Sequence, residues 1–318
     1  MKKIRNRLVC MVLSAAMLFP QQVWADSTET VVTPQETQDP VVIEQDDRPY
    51  LSLGADLTKE QQATVLNLMG IKEEELSGYN VSYVTNAEEH TYLDAYISSN
   101  KIGTRAWSSV VIVKREKGNG IQISTKNITY CTISMYKNAL VTAGVADADI
   151  IVAGPQPISG TAALVGVLKA YTDMTGDEIP QERMDTALNE LVLTGELRSV
   201  AGANGENVEE MVAYLKQKVA EGALTDENSI QTAIEDACKD FDISLTDEQK
   251  SELIDLMLKI KDLNLDVDSL IEQAQSVYDN LSGMGFDCAK GEGIAAKFGS
   301  FFSDLIASIK EFFAGLFG

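Results

Sequence analysis

Residues 107–125 read WSSVVIVKREKGNGIQIST and carry the clearest strand signal in the chain. The runs 107–114 and 120–125 are rich in β-branched residues, which favour strands. Between them lies Glu-Lys-Gly-Asn-Gly, whose glycines and asparagine tolerate the positive φ angles of a tight turn. The stretch therefore predicts a β-hairpin, with two antiparallel strands paired to each other.

Further strands flank this stretch and alternate with helices. Residues 50–54 and 79–85 have strand patterns, and residues 149–153 have the pattern of a buried strand. Thr58 and Gln61 form a capping box at the start of one helix, and Asn86 is expected to cap another that runs to about residue 99. Because strands alternate with helices and one connection is a hairpin, we predict a mixed sheet rather than a wholly parallel one.

The strand signal ends at Pro180. Helical patterns then fit residues 181–195, 206–221, 228–241, 247–261, 268–282 and 291–317. The predicted fold class is therefore α+β, in which a mixed α/β domain at 49–178 is followed by an all-α helical domain at 179–290. Residues 291–318 form a separate, amphipathic C-terminal helix.

The first 25 residues have the parts of a secretory signal peptide. Four basic residues precede an apolar run at 8–19, and Ala25 is the small residue expected before a cleavage site. The apolar run is much shorter than the ~20 residues of a membrane span. Residues 26–48 are poor in apolar side chains and predict a disordered acidic linker. The expected localisation is secreted or extracellular, with cell-surface association left open.

The chain is strongly acidic, with a formal net charge of −22. Such a charge repels phosphate backbones, and the longest basic cluster, at 114–117, is interrupted by Glu116. We therefore expect no nucleic-acid partner.

Metal and cofactor motifs are missing from the sequence. There is one histidine, His90, and no CxxC spacing. Three cysteines follow the predicted cleavage site, and a bridge between Cys238 and Cys288 is left open. No metal and no cofactor are predicted.

Residues 154–161 join the predicted buried strand to a helix and contain two prolines. The phosphate-binding lysine of a P-loop is absent. The free N–H groups of a helix N-terminus nevertheless make Ser159, Gly160 and Thr161 a candidate anion site, the alternative being a rigid turn capped by Ser159. Ser159 and Ser108 lack an evident activating base, so catalytic residues remain unknown.

The last 28 residues hold six of the nine phenylalanines. Their apolar side chains share one broad helix face, which indicates core packing, membrane-surface contact or binding to a protein partner. The residues of this face proposed for membrane or partner contact are Phe298, Phe301, Phe302, Leu305, Ile309, Phe312, Phe313 and Leu316.

Three sequence blocks resemble a known family. They are residues 53–58 (LGADLT), residues 127–144 with NIT, MYKNAL and TAG, and residues 155–164 with PQPISG and AAL. Together they resemble the YpuA-like proteins, secreted proteins of Gram-positive bacteria that share a domain of unknown function. The resemblance covers the chain from about Tyr50 and implies no activity, cofactor or catalytic residue.

The function expected from these features is binding without catalysis. We expect a secreted protein associated with the cell envelope, whose envelope component or protein partner is unknown. The alternative is an extracellular hydrolase with an acidic cleft between its two domains, which converging carboxylates with perturbed pKa values would favour.

Overall fold

The computed structural model describes residues 41–43 and 47–265. Its N-terminal part is built on a five-stranded sheet in the order β2-β1-β3-β5-β4. The strands are β1 (Tyr50–Gly54), β2 (Asn80–Val84), β3 (Ser109–Lys114), β4 (Ile121–Ile128) and β5 (Ala148–Ile158). The pairs β1–β2 and β4–β5 are parallel, whereas β3 is antiparallel to both β1 and β5. The prediction of a mixed sheet is therefore confirmed.

The hairpin predicted for residues 107–125 is wrong in its pairing. Both strands form, but β5 lies between them, so that Ile151 pairs with Val111 on one side and with Ser124 on the other. The central residues of β5 are buried on both faces, and a strand of this kind gains most by lying inside the sheet. The connecting turn is instead held by Asp147, whose Oδ1 accepts hydrogen bonds from the N–H groups of Gly118 (2.8 Å) and Gly120 (3.0 Å).

Among the described residues, five α-helices and a 3₁₀ helix at Glu73–Gly78 accompany the sheet. The α-helices are α1 (Lys59–Leu68), α2 (Asn86–Leu93), the short α3 (Ser99–Ile102), α4 (Ile133–Ala143) and α5 (Thr161–Thr175). The capping box at the start of α1 is confirmed, since Thr58 Oγ1 accepts from Gln61 N (3.2 Å) and Gln61 Oε1 accepts from Thr58 N (2.9 Å).

The predicted cap of α2 is wrong by one residue, and its predicted end by several. Thr85, in extended backbone conformation, is the N-cap, and its hydroxyl accepts from Glu88 N while the Glu88 carboxylate accepts from Thr85 N. Asn86 is instead the first helical residue. The helix ends at Leu93 rather than near residue 99. Asn86 and Glu89 have the same spacing as Thr85 and Glu88, but Glu89 Oε1 accepts a hydrogen bond from Thr161 instead of closing a capping box.

Four further helices follow the sheet in the part of the chain that the structure describes. These are α6 (Gln181–Ala201), α7 (Gly205–Ala220), α8 (Glu227–Asp240) and α9 (Asp247–Asp262), with a 3₁₀ turn at Gly202–Asn204. They agree with the helical patterns at 181–261, and the fold class is α+β as predicted. The helices predicted at 268–282 and 291–317 lie outside the described residues, and so does Cys288.

The two faces of the sheet pack against different helices. One face, with Leu51, Leu53 and Ile151, packs against α1, while the other carries a larger cluster that includes Ile112 and Ile150. The larger cluster continues without a break through residues of α4, α5 and the helices α6–α9. Each fully buried Leu or Ile in it contributes about 1.5–3 kcal/mol. No helix in the described part of the chain combines the length and the hydropathy needed to cross a membrane.

Candidate ligand site at the strand ends

Segments that are distant in the sequence lie next to each other at one edge of the sheet. The carboxyl ends of β1, β2, β4 and β5 meet there with the start of β3, because β3 alone runs in the opposite direction. Open sheets with parallel strands commonly bind ligands at such an edge. We use the term strand-end site for the polar and aromatic residues that lie there, which are Asp56, Glu89, Trp107, Ser108, Ser159 and Thr161.

The turn after β1 approaches the start of β3 very closely. A Cβ atom on Gly54 would lie 2.3 Å from the backbone oxygen of Ala106, so only glycine fits at this position. The contact brings Asp56 against the loop, where its Oδ2 accepts from Ala106 N at 2.8 Å. The indole N–H of Trp107 donates to the backbone oxygen of Asp56 at 3.2 Å. The exposed Asp56 carboxylate and the half-buried Trp107 ring are thereby fixed next to each other.

The Trp107 ring also carries a cation on its face. The guanidinium carbon of the exposed Arg105 lies 5.5 Å from the ring centroid, which is a cation–π distance. The ring is therefore oriented both at its N–H group and at its face.

The N-terminus of α5 holds the three residues predicted as an anion site. Gly160, with φ of 95°, is the N-cap, and Tyr136 Oη donates to its carbonyl oxygen at 2.6 Å. The alternative interpretation, in which Ser159 caps the helix, is wrong. Ser108 does so from the neighbouring segment, because its Oγ accepts from Ala163 N at 2.9 Å.

The hydroxyl groups at this terminus form a directed hydrogen-bond chain. Thr161 Oγ1 donates to Glu89 Oε1 at 2.7 Å, and Ser159 Oγ lies 3.2 Å from Thr161 Oγ1. Because the single hydroxyl proton of Thr161 is used on Glu89, Ser159 is the donor in the second bond. The chain therefore runs from the half-buried Ser159 through the buried Thr161 to Glu89.

Glu89 is the buried end of this chain. It is 2% exposed, and its carboxyl group is hydrogen-bonded to the side chains of Thr161 and Asn86. Burial raises the pKa of Glu89, while the hydrogen bond from Thr161 and the nearby Asn86 side chain act in the opposite direction. The negative charge of Asp56 raises this pKa further. Asp56 and Glu89 are therefore electrostatically coupled carboxyl groups at one end of the sheet.

Helix α2 is anchored so that Glu89 points inward. His90 contacts Asp94 Oδ1 through Nδ1 at 2.8 Å and the backbone oxygen of Gly103 through Nε2 at 3.1 Å. On α5, Lys169 Nζ donates to Glu88 Oε1 at 2.6 Å. These contacts connect α2 to α5 and to the segment that leads to β3.

The structure brings together some of the predicted residues and adds others. Ser159, Gly160, Thr161 and Ser108 lie in one cluster, whereas sequence reasoning overlooked Asp56, Glu89 and Trp107. The sequence signal for Asp56 was its place in the block LGADLT at 53–58. The anion site itself stays a prediction, and any external anion there would meet the Glu89 carboxyl group.

Other predicted features lie elsewhere. Cys131 and Cys238 are buried, and the described residues contain no group of three or more His, Cys, Asp or Glu side chains arranged to hold a metal ion. The residues proposed for membrane or partner contact, from Phe298 to Leu316, lie outside the described residues.

Comparison with known proteins identifies the family. The model of a family described as a protein of unknown function (DUF1002) matches residues 53–277. The uncharacterized protein YpuA of Bacillus subtilis (strain 168) is 35% identical over 264 residues, which cover 83% of this chain and 89% of that protein. No solved structure matches the chain significantly. The matched residues include every member of the strand-end site, and the chain belongs to the DUF1002 family of proteins of unknown function.

Proposed function

We propose that this chain is a secreted, cell-envelope-associated binding protein that holds its ligand at the strand-end site. The observation that carries the proposal is the rigid pairing of the exposed Asp56 carboxylate with the half-buried Trp107 ring. Ligand sites commonly combine an apolar surface with a few fixed polar groups. Export to the envelope is supported by the signal-peptide pattern at 1–25 and the acidic linker at 26–48.

The hydrogen bonds at the site favour binding over nucleophilic catalysis. A serine nucleophile needs a base within hydrogen-bond reach that can take its proton. Ser108 accepts from a helix N–H group, and His90 contacts Asp94 and the Gly103 backbone oxygen. The hydroxyl groups therefore serve to position structure and to offer hydrogen bonds.

Envelope association is proposed to involve the C-terminal segment at 291–318. Its apolar pattern suits contact with a membrane surface or with a protein partner. The charges of this segment are nearly balanced, whereas the chain as a whole carries −22. The segment could therefore approach an anionic surface that repels the rest of the protein.

Cell fractionation tests the envelope assignment. Two chains are expressed, residues 1–318 and residues 1–292. The amount of each is measured in the medium, wall, membrane and cytosol fractions. We expect the full chain in the envelope fractions after removal of residues 1–25, and a shift of the shorter chain toward the medium. Recovery of both chains in the cytosol with residues 1–25 retained would contradict the proposal.

An extracellular hydrolase is a second candidate function, favoured by the coupling between Asp56 and Glu89. Burial raises the pKa of Glu89, and a carboxyl group with a raised pKa near a second carboxyl group is typical of the acid in glycoside hydrolysis. The pair lies at the strand ends, within the predicted α/β domain, and not in the cleft between domains that the sequence suggested.

Assays of reducing-sugar release from purified cell walls decide between the two candidates. The wild-type chain is compared with the Asp56→Asn and Glu89→Gln variants. Activity that disappears in both variants would establish the hydrolase. Binding to walls without release of sugar supports the binding protein.

A further inference from the structure

We propose that the outer edge of strand β2 binds a partner protein by pairing with an extended, basic segment of that partner. This surface lies along the side of the sheet and not at its strand ends, so the inference goes beyond the proposed function. It follows from the direction of the backbone groups of β2, from its exposed side chains and from the charge of its surroundings.

Strand β2 is the last strand on one side of the sheet, and β1 is its one partner among the described strands. Asn80 N donates to the backbone oxygen of Pro49, just before β1, at 3.0 Å. Because this direction alternates along a strand, the backbone groups of Val81 and Tyr83 point away from the sheet. Lys169 Nζ reaches the Tyr83 backbone oxygen from α5 at 3.0 Å, which agrees with this direction. The N–H and C=O groups of Val81 and the N–H group of Tyr83 therefore remain for a further strand among the described residues.

The side chains on this edge are exposed and uncharged. Val81 is 38% and Tyr83 53% exposed, and they continue the sheet face that packs against α1. No residue from 76 to 87 is charged. Edge strands are commonly protected by charged side chains, proline or bulges. The opposite edge strand, β4, has an exposed lysine, Lys126, and an irregularity next to it, whereas β2 has neither. The edge of β2 is therefore open to strand addition.

The charge of the chain favours a basic partner over a second copy. Glu73 and Glu74 are exposed in the 3₁₀ helix that leads to β2. Lys169, the cation at the edge, is paired with Glu88, whose Oε1 lies 2.6 Å from its Nζ. A second copy would bring the same formal charge of −22 to the interface. An extended segment with basic residues satisfies the backbone groups of the edge and is attracted by the acids.

A labelled peptide tests the proposal. Residues 26–318 are titrated into the fluorescein-labelled peptide KKTVTVTKK, and fluorescence anisotropy measures its binding. One control peptide, EETVTVTEE, has the opposite charge. The other is KKTVTVTKK with N-methyl groups on its three central residues, which keeps the charges and side chains but removes the central N–H donors. We expect saturable binding of the first peptide and at least about tenfold weaker binding of both controls.

Three variants connect the signal to the edge. Val81→Pro removes an N–H group that points away from β1, so the native pairing of β2 is kept. We expect at least about tenfold weaker binding of KKTVTVTKK, because a peptide carbonyl group then loses its donor. Val81→Thr is the matched control, and Tyr83→Ala is a second one. Both keep every backbone N–H group of the edge and should stay within about fivefold of the wild-type affinity. Far-UV circular dichroism and urea unfolding show whether each variant is folded.

Four results would overturn the inference. The first is the absence of saturable binding of KKTVTVTKK, and the second is equal binding of either control peptide. The third is wild-type affinity in a folded Val81→Pro variant. The fourth is a dimer in analytical ultracentrifugation that Val81→Pro abolishes, since the edge would then belong to a second copy. If Val81→Pro does not fold, the N-methylated peptide decides whether the backbone is recognised.

Discussion

Replacement of Lys216 by methionine should destabilise the protein severely. Lys216 and Glu190 are both fully buried, and their Nζ and Oε1 atoms lie 2.8 Å apart. Lys216 also donates to the backbone oxygen of Asn138 (2.7 Å) and to Thr142 Oγ1 (3.3 Å), while Thr142 donates to Glu190. Burial lowers the pKa of Lys216, and Glu190 opposes that shift.

The expected loss is about 3–5 kcal/mol in the free energy of unfolding. Methionine fills nearly the volume of lysine, so the cost comes mainly from the carboxylate of Glu190, which is left buried with only Thr142 as a donor. In a domain of this size, 1 kcal/mol shifts Tm by roughly 2–4 °C, so Tm should fall by about 10 °C. Urea unfolding followed by far-UV circular dichroism measures the loss.

A double variant separates the ion pair from general packing. Lys216→Met combined with Glu190→Met removes both charges, and we expect it to recover at least half of the loss. Lys239→Met is the control, because Lys239 forms an exposed pair with Asp236 and its loss should leave the free energy of unfolding close to that of the wild type. A Lys216→Met variant that stays within about 1 kcal/mol of the wild type would refute this role of the ion pair. A double variant whose loss equals the sum of the Lys216→Met and Glu190→Met losses would refute it as well.

Three further changes have defined outcomes. Burial, followed by the charges of two neighbouring glutamates, raises the pKa of Glu210 to about 8. The folded state thus keeps a proton that the unfolded state loses above about pH 4.3, and stability falls as pH rises to about 8. Glu210→Gln should remove this fall and raise the free energy of unfolding by roughly 2–4 kcal/mol at pH 8.5. Urea unfolding at pH 5 and 8.5 would contradict this if wild type and variant lost the same stability between the two pH values. Gly54→Ala should cost more than about 3 kcal/mol because the new Cβ would meet the Ala106 backbone oxygen at 2.3 Å, and a Tm within 3 °C of the wild type would contradict the close contact. Ser108→Ala should cost about 1 kcal/mol, since Ala163 N loses its side-chain acceptor, and thermal unfolding with an unchanged Tm would count against that role.

Local signals in the sequence predicted much of the fold. The capping box of Thr58 and Gln61 depends on residues three positions apart, and Thr246 with Gln249 repeats the same device at α9. Such contacts are settled within one helical turn, so they are visible in the sequence. The alternation of strands and helices likewise predicted the mixed sheet.

The sequence patterns did not predict which strands pair when they are distant in the chain. Residues 107–125 favour a local hairpin, but β5 displaces it because a strand buried on both faces needs a partner on each side. The strand-end site depends on the same long-range arrangement. Thr161 and Glu89 are 72 positions apart, and nothing in the pattern around Glu89 distinguishes it from an exposed acid in a first helical turn.

Co-sedimentation with isolated cell walls tests the binding role of the strand-end site most directly. Residues 26–318 of the wild type are compared with the Trp107→Ala and Tyr83→Ala variants after each has been shown to be folded. We predict that the wild type and Tyr83→Ala sediment with the walls while Trp107→Ala stays in solution. Equal sedimentation of Trp107→Ala, or a wild type that stays in solution, would contradict the assignment of the strand-end site as the binding surface.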